Sequence, residues 1–243
     1  MKKKLVLTLL VIGLLTFGVG MGTYAWFSAQ VDVTQGEEVF EVGTMALEKV
    51  QMGDTPGDIF ARTNTQPMTF SQAWGEYLRD FRINNSGSLE VDIRPVIKNE
   101  LVYNGAEKTL EELYEQYRIY VAIGTKDSTQ PIFSDEKTAL DFLKSSVSEY
   151  DNAYNDDFYS DQGEFVQFCC SIDDLQEKLK AAITDLDAKT LSEDAGLKIR
   201  IMPWLNYLAD NEWQGVDLKS SFIFQGKQTN ATWEDTYPDS AND

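Results

Sequence analysis

The side chains most often used in catalysis are thinly represented in this 243-residue chain. It contains no histidine and two cysteines, but 40 aspartates and glutamates against 21 lysines and arginines. Without imidazole there is no Ser-His-Asp or Cys-His machinery, no histidine-built zinc site and no HExxH metalloprotease centre. Neither a GxxxxGK[ST] loop nor a GxGxxG fingerprint occurs, so nucleotide binding has no support. Paired carboxylates could in principle hydrolyse a glycoside, but among 40 acids some pair arises by chance. Sequence spacing does not report the through-space separation that this chemistry requires. The cluster Asp151, Asp156, Asp157, Asp161 and Glu164 could offer oxygen ligands to Ca²⁺. It lacks the EF-hand spacing and reads better as a solvated acidic loop. We therefore expect no enzyme, no catalytic residue, no metal ligand and no cofactor.

Cys169 and Cys170 are adjacent. Neighbouring Cα atoms lie about 3.8 Å apart, closer than the roughly 4.4–6.8 Å of ordinary disulfides, so a bridge between them would be strained. Following Phe165-Val166-Gln167-Phe168, they read as strand residues, one facing in and one out. Asn84-Asn85-Ser86 and Asn230-Ala231-Thr232 match the glycosylation triplet, which is frequent by chance.

The strongest processing signal is at the N-terminus. Met1-Lys2-Lys3-Lys4 precedes a run from Leu5 to Gly22 without a charged side chain, the layout of a secretory signal. The run is also long enough to compete with a membrane anchor, since about 20 helical residues cross the hydrocarbon core. Gly13, Gly18, Gly20 and Gly22 weaken its far end, and Thr23 and Ala25 are spaced as the −3 and −1 residues of a peptidase site. Cleavage is expected near Ala25, Trp26 and Phe27. The segment carries three lysines and no acid, so its loss makes a chain of net charge −19 more acidic still. Such a chain repels nucleic acid and anionic lipid. We expect no nucleic-acid partner, and membrane contact only through an uncleaved signal.

The elements that follow are mainly strands. Phe27 to Thr34 alternates apolar and polar residues, the period of a half-buried strand. Val39 to Val50 reads as a strand bent at Gly43, and Gln51 to Gln72 as a long surface connection with a turn at Thr55-Pro56-Gly57-Asp58. Regular structure should resume at Tyr77, with strands Leu78–Ile83 and Leu89–Ile97 forming a hairpin over Asn84-Asn85-Ser86-Gly87-Ser88. Helices are expected over Glu107–Tyr117, over Asp135–Val147 with Ser134 as N-cap, and from Ser171-Ile172-Asp173-Asp174 onward. Strands are expected at Arg118–Gly124, Phe165–Cys170, Leu197–Trp204 and Val216–Gln228, with Asp151–Glu164 irregular and a polar turn at Ala209–Glu212. Seven or eight strands with helices not spaced as regular crossovers imply a mainly β, antiparallel β-sandwich with inserted helices after an N-terminal signal peptide. The expected organisation is a signal peptide over 1–26, one sandwich domain over 27–234 with helical insertions at about 105–186, and a polar tail over 235–243.

Four stretches together carry a family resemblance. They are Gly22-Thr23-Tyr24-Ala25-Trp26-Phe27-Ser28, Phe40-Glu41-Val42-Gly43-Thr44-Met45-Ala46-Leu47, Asp80-Phe81-Arg82-Ile83-Asn84-Asn85-Ser86-Gly87-Ser88-Leu89, and Asn211-Glu212-Trp213-Gln214-Gly215 with Leu218-Lys219, Phe222-Ile223-Phe224 and Gln228. In this order they resemble the TasA and camelysin (CalY) family, bacterial proteins whose signal is removed by a dedicated peptidase, SipW. The 51–72 stretch is longer than the loop in that family, Cys169-Cys170 has no counterpart, and residues 99–196 are read from their own pattern alone. The resemblance implies a jelly-roll-like sandwich, a SipW-type signal peptidase as partner, and secretion to the extracellular matrix or cell surface. It further implies head-to-tail assembly of the chain with itself into biofilm fibres. Camelysins have been classed as metallopeptidases, an activity this histidine-free sequence gives no reason to carry over.

On this reading cleavage frees a donor strand, in which Phe27, Ala29, Val31 and Val33 would fill pockets of the next subunit. The same strand could equally pair within its own subunit. A different class of function stays open, a monomeric surface adhesin that binds through the Tyr- and Asp-rich loop at 151–163.

Overall fold

The computed structural model describes residues 28–32, 39–42, 45–52, 61–102, 110–128, 157–207, 209, 213 and 216–233. Twelve strands among them form two antiparallel sheets. In chain order they are β1 (Ser28–Asp32), β2 (Val39–Val42), β3 (Met45–Met52), β4 (Ala61–Thr65), β5 (Arg79–Asn85), β6 (Val91–Val102), β7 (Tyr117–Thr125), β8 (Phe158–Asp161), β9 (Phe165–Ser171), β10 (Thr190–Leu191), β11 (Gly196–Leu205) and β12 (Val216–Gln228). The helices are α1 (Phe70–Tyr77), α2 (Leu110–Gln116) and α3 (Leu175–Asp185). The first sheet runs β1-β12-β6-β10, with β4 also on β12, and the second runs β2-β3-β5-β11-β7-β9-β8. The expected antiparallel sandwich with inserted helices is therefore the architecture found.

Alternation in each strand decides which residues meet. In β7, β9 and β11 the inward set Ile119, Val121, Ile123, Val166, Phe168, Cys170, Ile199 and Ile201 packs against Phe222 and Phe224 of the opposite sheet, with Leu175, Leu179 and Ile183 of α3 closing the core beside β6 and β9. Phe81 meets Phe222 edge-on at 6.0 Å between ring centroids. The alternate set of the same strands, Tyr120, Ala122, Phe165, Cys169, Met202 and Trp204, forms a second cluster on the outer face, roofed by Phe70, Ala73 and Trp74 of α1. Covering both faces explains why β7 and β9 read as nearly unbroken apolar runs instead of alternating ones.

Several expectations need correction. There are twelve described strands, not seven or eight. Val39–Val50 is not one bent strand: β2 and β3 pair with each other, Val42 opposite Met45, so the chain reverses between them. The connection assigned to 51–72 contains the end of β3, strand β4, and the start of α1, so regular structure resumes well before Tyr77. The stretch 151–164, expected to be irregular, contains a strand, Phe158–Asp161, at the sheet edge and paired with β9. Tyr117, counted on a helix face, is the first residue of β7 and is buried.

The segment 84–88 is not a hairpin turn. β5 pairs with β3 and β11, whereas β6 pairs with β12 and β10, so the chain turns a corner from one sheet to the other. Buried Asn85 builds this corner: its Nδ2 donates to the carbonyls of Leu89 (2.7 Å), Leu191 (3.0 Å) and Ser192 (3.2 Å), while its Oδ1 accepts from Gly87 N–H (3.0 Å). An Asn that satisfies four main-chain groups fixes a wide corner, which a two-residue turn would not need. Residues 1–26, the helix expected at Asp135–Val147 and the tail 235–243 lie outside the described residues.

Candidate functional site

The first sheet ends in a shared edge. β12 is paired along one side with β6 over twelve residues, from Asp217↔Val102 to Gln228↔Val91. Its other side is divided between two short strands: β4 lies against Val216 to Lys219, and β1 against Ile223 to Lys227. The β1 register is Ser28↔Lys227, Ala29↔Gly226, Gln30↔Gln225, Val31↔Phe224 and Asp32↔Ile223, all antiparallel. Val31 is thus matched with Phe224, a fully buried core residue, and Ala29 with a glycine. Of the expected donor-strand residues, Ala29 and Val31 fall in β1, while Phe27 and Val33 lie outside the described residues. So do Thr23, Ala25 and Trp26 of the cleavage region. In the single chain β1 pairs within its own subunit.

The cysteines do alternate, but the outward one does not reach solvent. Cys170 enters the central core and Cys169 the outer cluster under α1, and both are fully buried and unbridged. Burial pushes the Cys169 thiol up to about 12, against the pull of Arg118, whose Nη2 approaches Sγ at 3.8 Å. Burial likewise raises Cys170, with Cys169 adding to the effect. Neither is a thiolate ligand or nucleophile at neutral pH.

Of the acidic cluster, Asp157 is bound to Arg118 at 2.7 Å, Asp161 Oδ1 accepts the N–H of Gly163, and Glu164 is exposed; Asp151 and Asp156 lie outside the described residues. Two further carboxylates hold cations at strand positions: Asp80 binds Arg200 bidentately at 2.7 and 2.6 Å, and Asp92 takes Lys227 at 2.6 Å. These pairs escaped the sequence reading because each joins strands far apart in the chain. The α1 roof was missed as well, although a local signal for it exists: Phe70, Ala73, Trp74 and Tyr77 have helical spacing. Thr69 and Gln72 form a capping box, Thr69 N–H donating to Gln72 Oε1 at 2.9 Å.

Among the described residues, no group of three or more Asp, Glu or Cys side chains is placed to hold a metal ion, and the chain has no histidine. The described residues therefore do not fit a catalytic metal, which takes three protein ligands and an open position. No helix among them is long and apolar enough to cross a membrane.

No curated protein matches the chain. The profile of the camelysin metallo-endopeptidase family matches residues 1–232, nearly the whole sequence. The four stretches that resemble TasA and camelysin lie within that match, and the antiparallel sandwich agrees with it. The chain belongs to the camelysin family.

Proposed function

We propose that this protein is a non-catalytic structural subunit of the cell surface or extracellular matrix that assembles by exchanging β1 between copies. Membership of the camelysin and TasA family supports a secreted matrix protein. The observation that carries the finer reading is the β1–β12 edge. β1 is a five-residue strand paired, among the described residues, with β12 alone, and its register matches Val31 with buried Phe224. A β1 strand from a second copy forms the same main-chain bonds and the same matches, so exchange costs little beyond bringing the copies together. Because donor edge and acceptor edge differ, the contact repeats without closing and gives a filament. A signal segment still attached ahead of β1 would hold the strand at the membrane, so processing by a SipW-type peptidase would license assembly. The absence of histidine and the protonated thiols support a role without metal catalysis.

Negative-stain microscopy tests this on the chain beginning at Phe27, the same chain without Phe27–Thr34, and a Val31→Asp variant. Filaments in the first sample alone support strand exchange. Filaments in all three, or in none, overturn it.

A further inference from the structure

At the opposite side of the first sheet from β1, the edge formed by β6 and β10 meets α3 and Trp233 around a groove of about 630 Å³. Its charge runs against that of the molecule. Lys180, Lys189 and Arg94 line it with one carboxylate, Asp92, in a chain where acids outnumber bases by 40 to 21. That carboxylate is already engaged: Asp92 Oδ2 accepts from Lys227 Nζ at 2.6 Å and its Oδ1 from the Thr190 hydroxyl at 2.6 Å. The ammonium groups of Lys180 and Lys189 are exposed and have no partner among the described residues. Arg94 is positioned by its Nε–H bond to Gln225 Oε1 (2.9 Å) and by its place over the Trp233 ring, 4.3 Å from the centroid. Lys227 approaches the same ring at 5.2 Å.

We propose that this groove binds a short run of an acidic polysaccharide, its carboxylates on Lys180, Lys189 and Arg94 and its sugar rings along the wall made by Trp233. Two ammoniums without a partner among the described residues gain one without breaking an existing pair, and beside them the Arg94 guanidinium is held in place by Gln225. The half-buried indole supplies an apolar surface that a purely ionic partner would not use. The net charge of −19 opposes any long polyanion, so only a short run is proposed; a single-stranded hexanucleotide that bound as tightly as the acidic sugar in the titration below would overturn the polysaccharide reading. An acidic peptide is disfavoured as an added strand because on this edge of β6 the N–H groups of Ile93 and Ile97 already donate to the Lys189 carbonyl and Gln176 Oε1, and Pro95 has none to offer. β12 lies between this groove and β1, and its Lys227 and Gln225, which hold Asp92 and Arg94, are also register partners of β1; sugar binding is read by calorimetry and filaments by microscopy, so the failure of one reading is distinguished from that of the other.

Calorimetric titration of the purified full chain with hexagalacturonate, neutral hexagalactose, hexaglutamate and a single-stranded hexanucleotide decides the question. Hexagalacturonate binds with an affinity that falls as salt rises, the neutral sugar does not, and hexaglutamate binds more weakly. Lys180→Glu with Lys189→Glu, two exposed positions, lowers the affinity about tenfold or more, with circular dichroism confirming an unchanged fold. Trp233→Ala also weakens the acidic sugar, with a smaller effect on hexaglutamate. The proposal falls if hexagalacturonate does not bind, if the charge reversals leave Kd within about twofold, or if hexaglutamate or the hexanucleotide binds as tightly.

Discussion

Asn85→Asp is the most exacting test of how this sandwich is tied together. The change is nearly isosteric, yet it replaces an amide that donates to three main-chain carbonyls by a group that only accepts. Asn85 is fully buried, so water cannot substitute. Losing the two N–H donors that Nδ2 shares among three carbonyls, at about 1 kcal/mol each, and setting a carboxylate against carbonyl oxygens, costs about 3–5 kcal/mol. In a domain of this size that lowers Tm by about 10 °C. The introduced carboxyl should titrate above its ordinary value of about 3.9, because burial and the facing carbonyls disfavour its charge. Once protonated it regains one O–H donor. The stability gap to the unaltered protein is therefore greatest at neutral pH and narrows as pH falls through the raised pKa. Urea denaturation at pH 7 and pH 4.5, followed by tryptophan fluorescence, measures both effects. A loss below about 1 kcal/mol, or a gap that widens on acidification, refutes the role given to this corner.

Four further outcomes follow from local geometry. In the native protein at pH 8 neither cysteine should react with a thiol reagent, whereas both should react in urea. With Cys169 held near 12 against about 8.5 in the unfolded chain, stability is unaffected below pH 8.5 and falls as pH rises toward 12, a decline that Cys169→Ala reduces. Gly196→Ala should destabilise by about 1–3 kcal/mol in denaturant titrations. Its Cβ would stand 2.5 Å from the Ile83 carbonyl oxygen and 2.6 Å from Asn84 Oδ1, where β11 meets β5. Asp80→Ala should cost about 3–5 kcal/mol, because Arg200, only 4% exposed, would lose its bidentate partner.

Much of the strand content was legible because burial imposes a period of two. Phe165–Cys170, Leu197–Trp204 and Val216–Gln228 all lie within strands β9, β11 and β12. The hidden elements were those whose local signal is weak or whose role is long-range. β4 (ARTNT) has no apolar alternation and is a strand only because β12 offers it an edge. β10 is two residues long and exists through its register with Asp92 and Val91. The Asn-Ser-Gly-Ser composition of 85–88 promises a reversal but does not say whether the next strand returns to the same sheet. That choice rests on Leu191 and Ser192, about a hundred residues away, whose carbonyls Asn85 holds.

The sequence by itself determined what chemistry is available: no imidazole, two cysteines too close in the chain for an ordinary bridge, an acidic surface, and a cationic apolar start. It also determined the β class and the family, because alternation and short motifs are local properties. Only the tertiary structure decided that both cysteines are buried, since it is α1 that covers the outer face. It alone decided that β1 lies on β12, and that three cations gather in one groove of an acidic protein. The physical reason is the same in each case. Which strand edge is open, which face is roofed and which charges are neighbours depend on contacts between residues distant in the chain, and no local spacing encodes them.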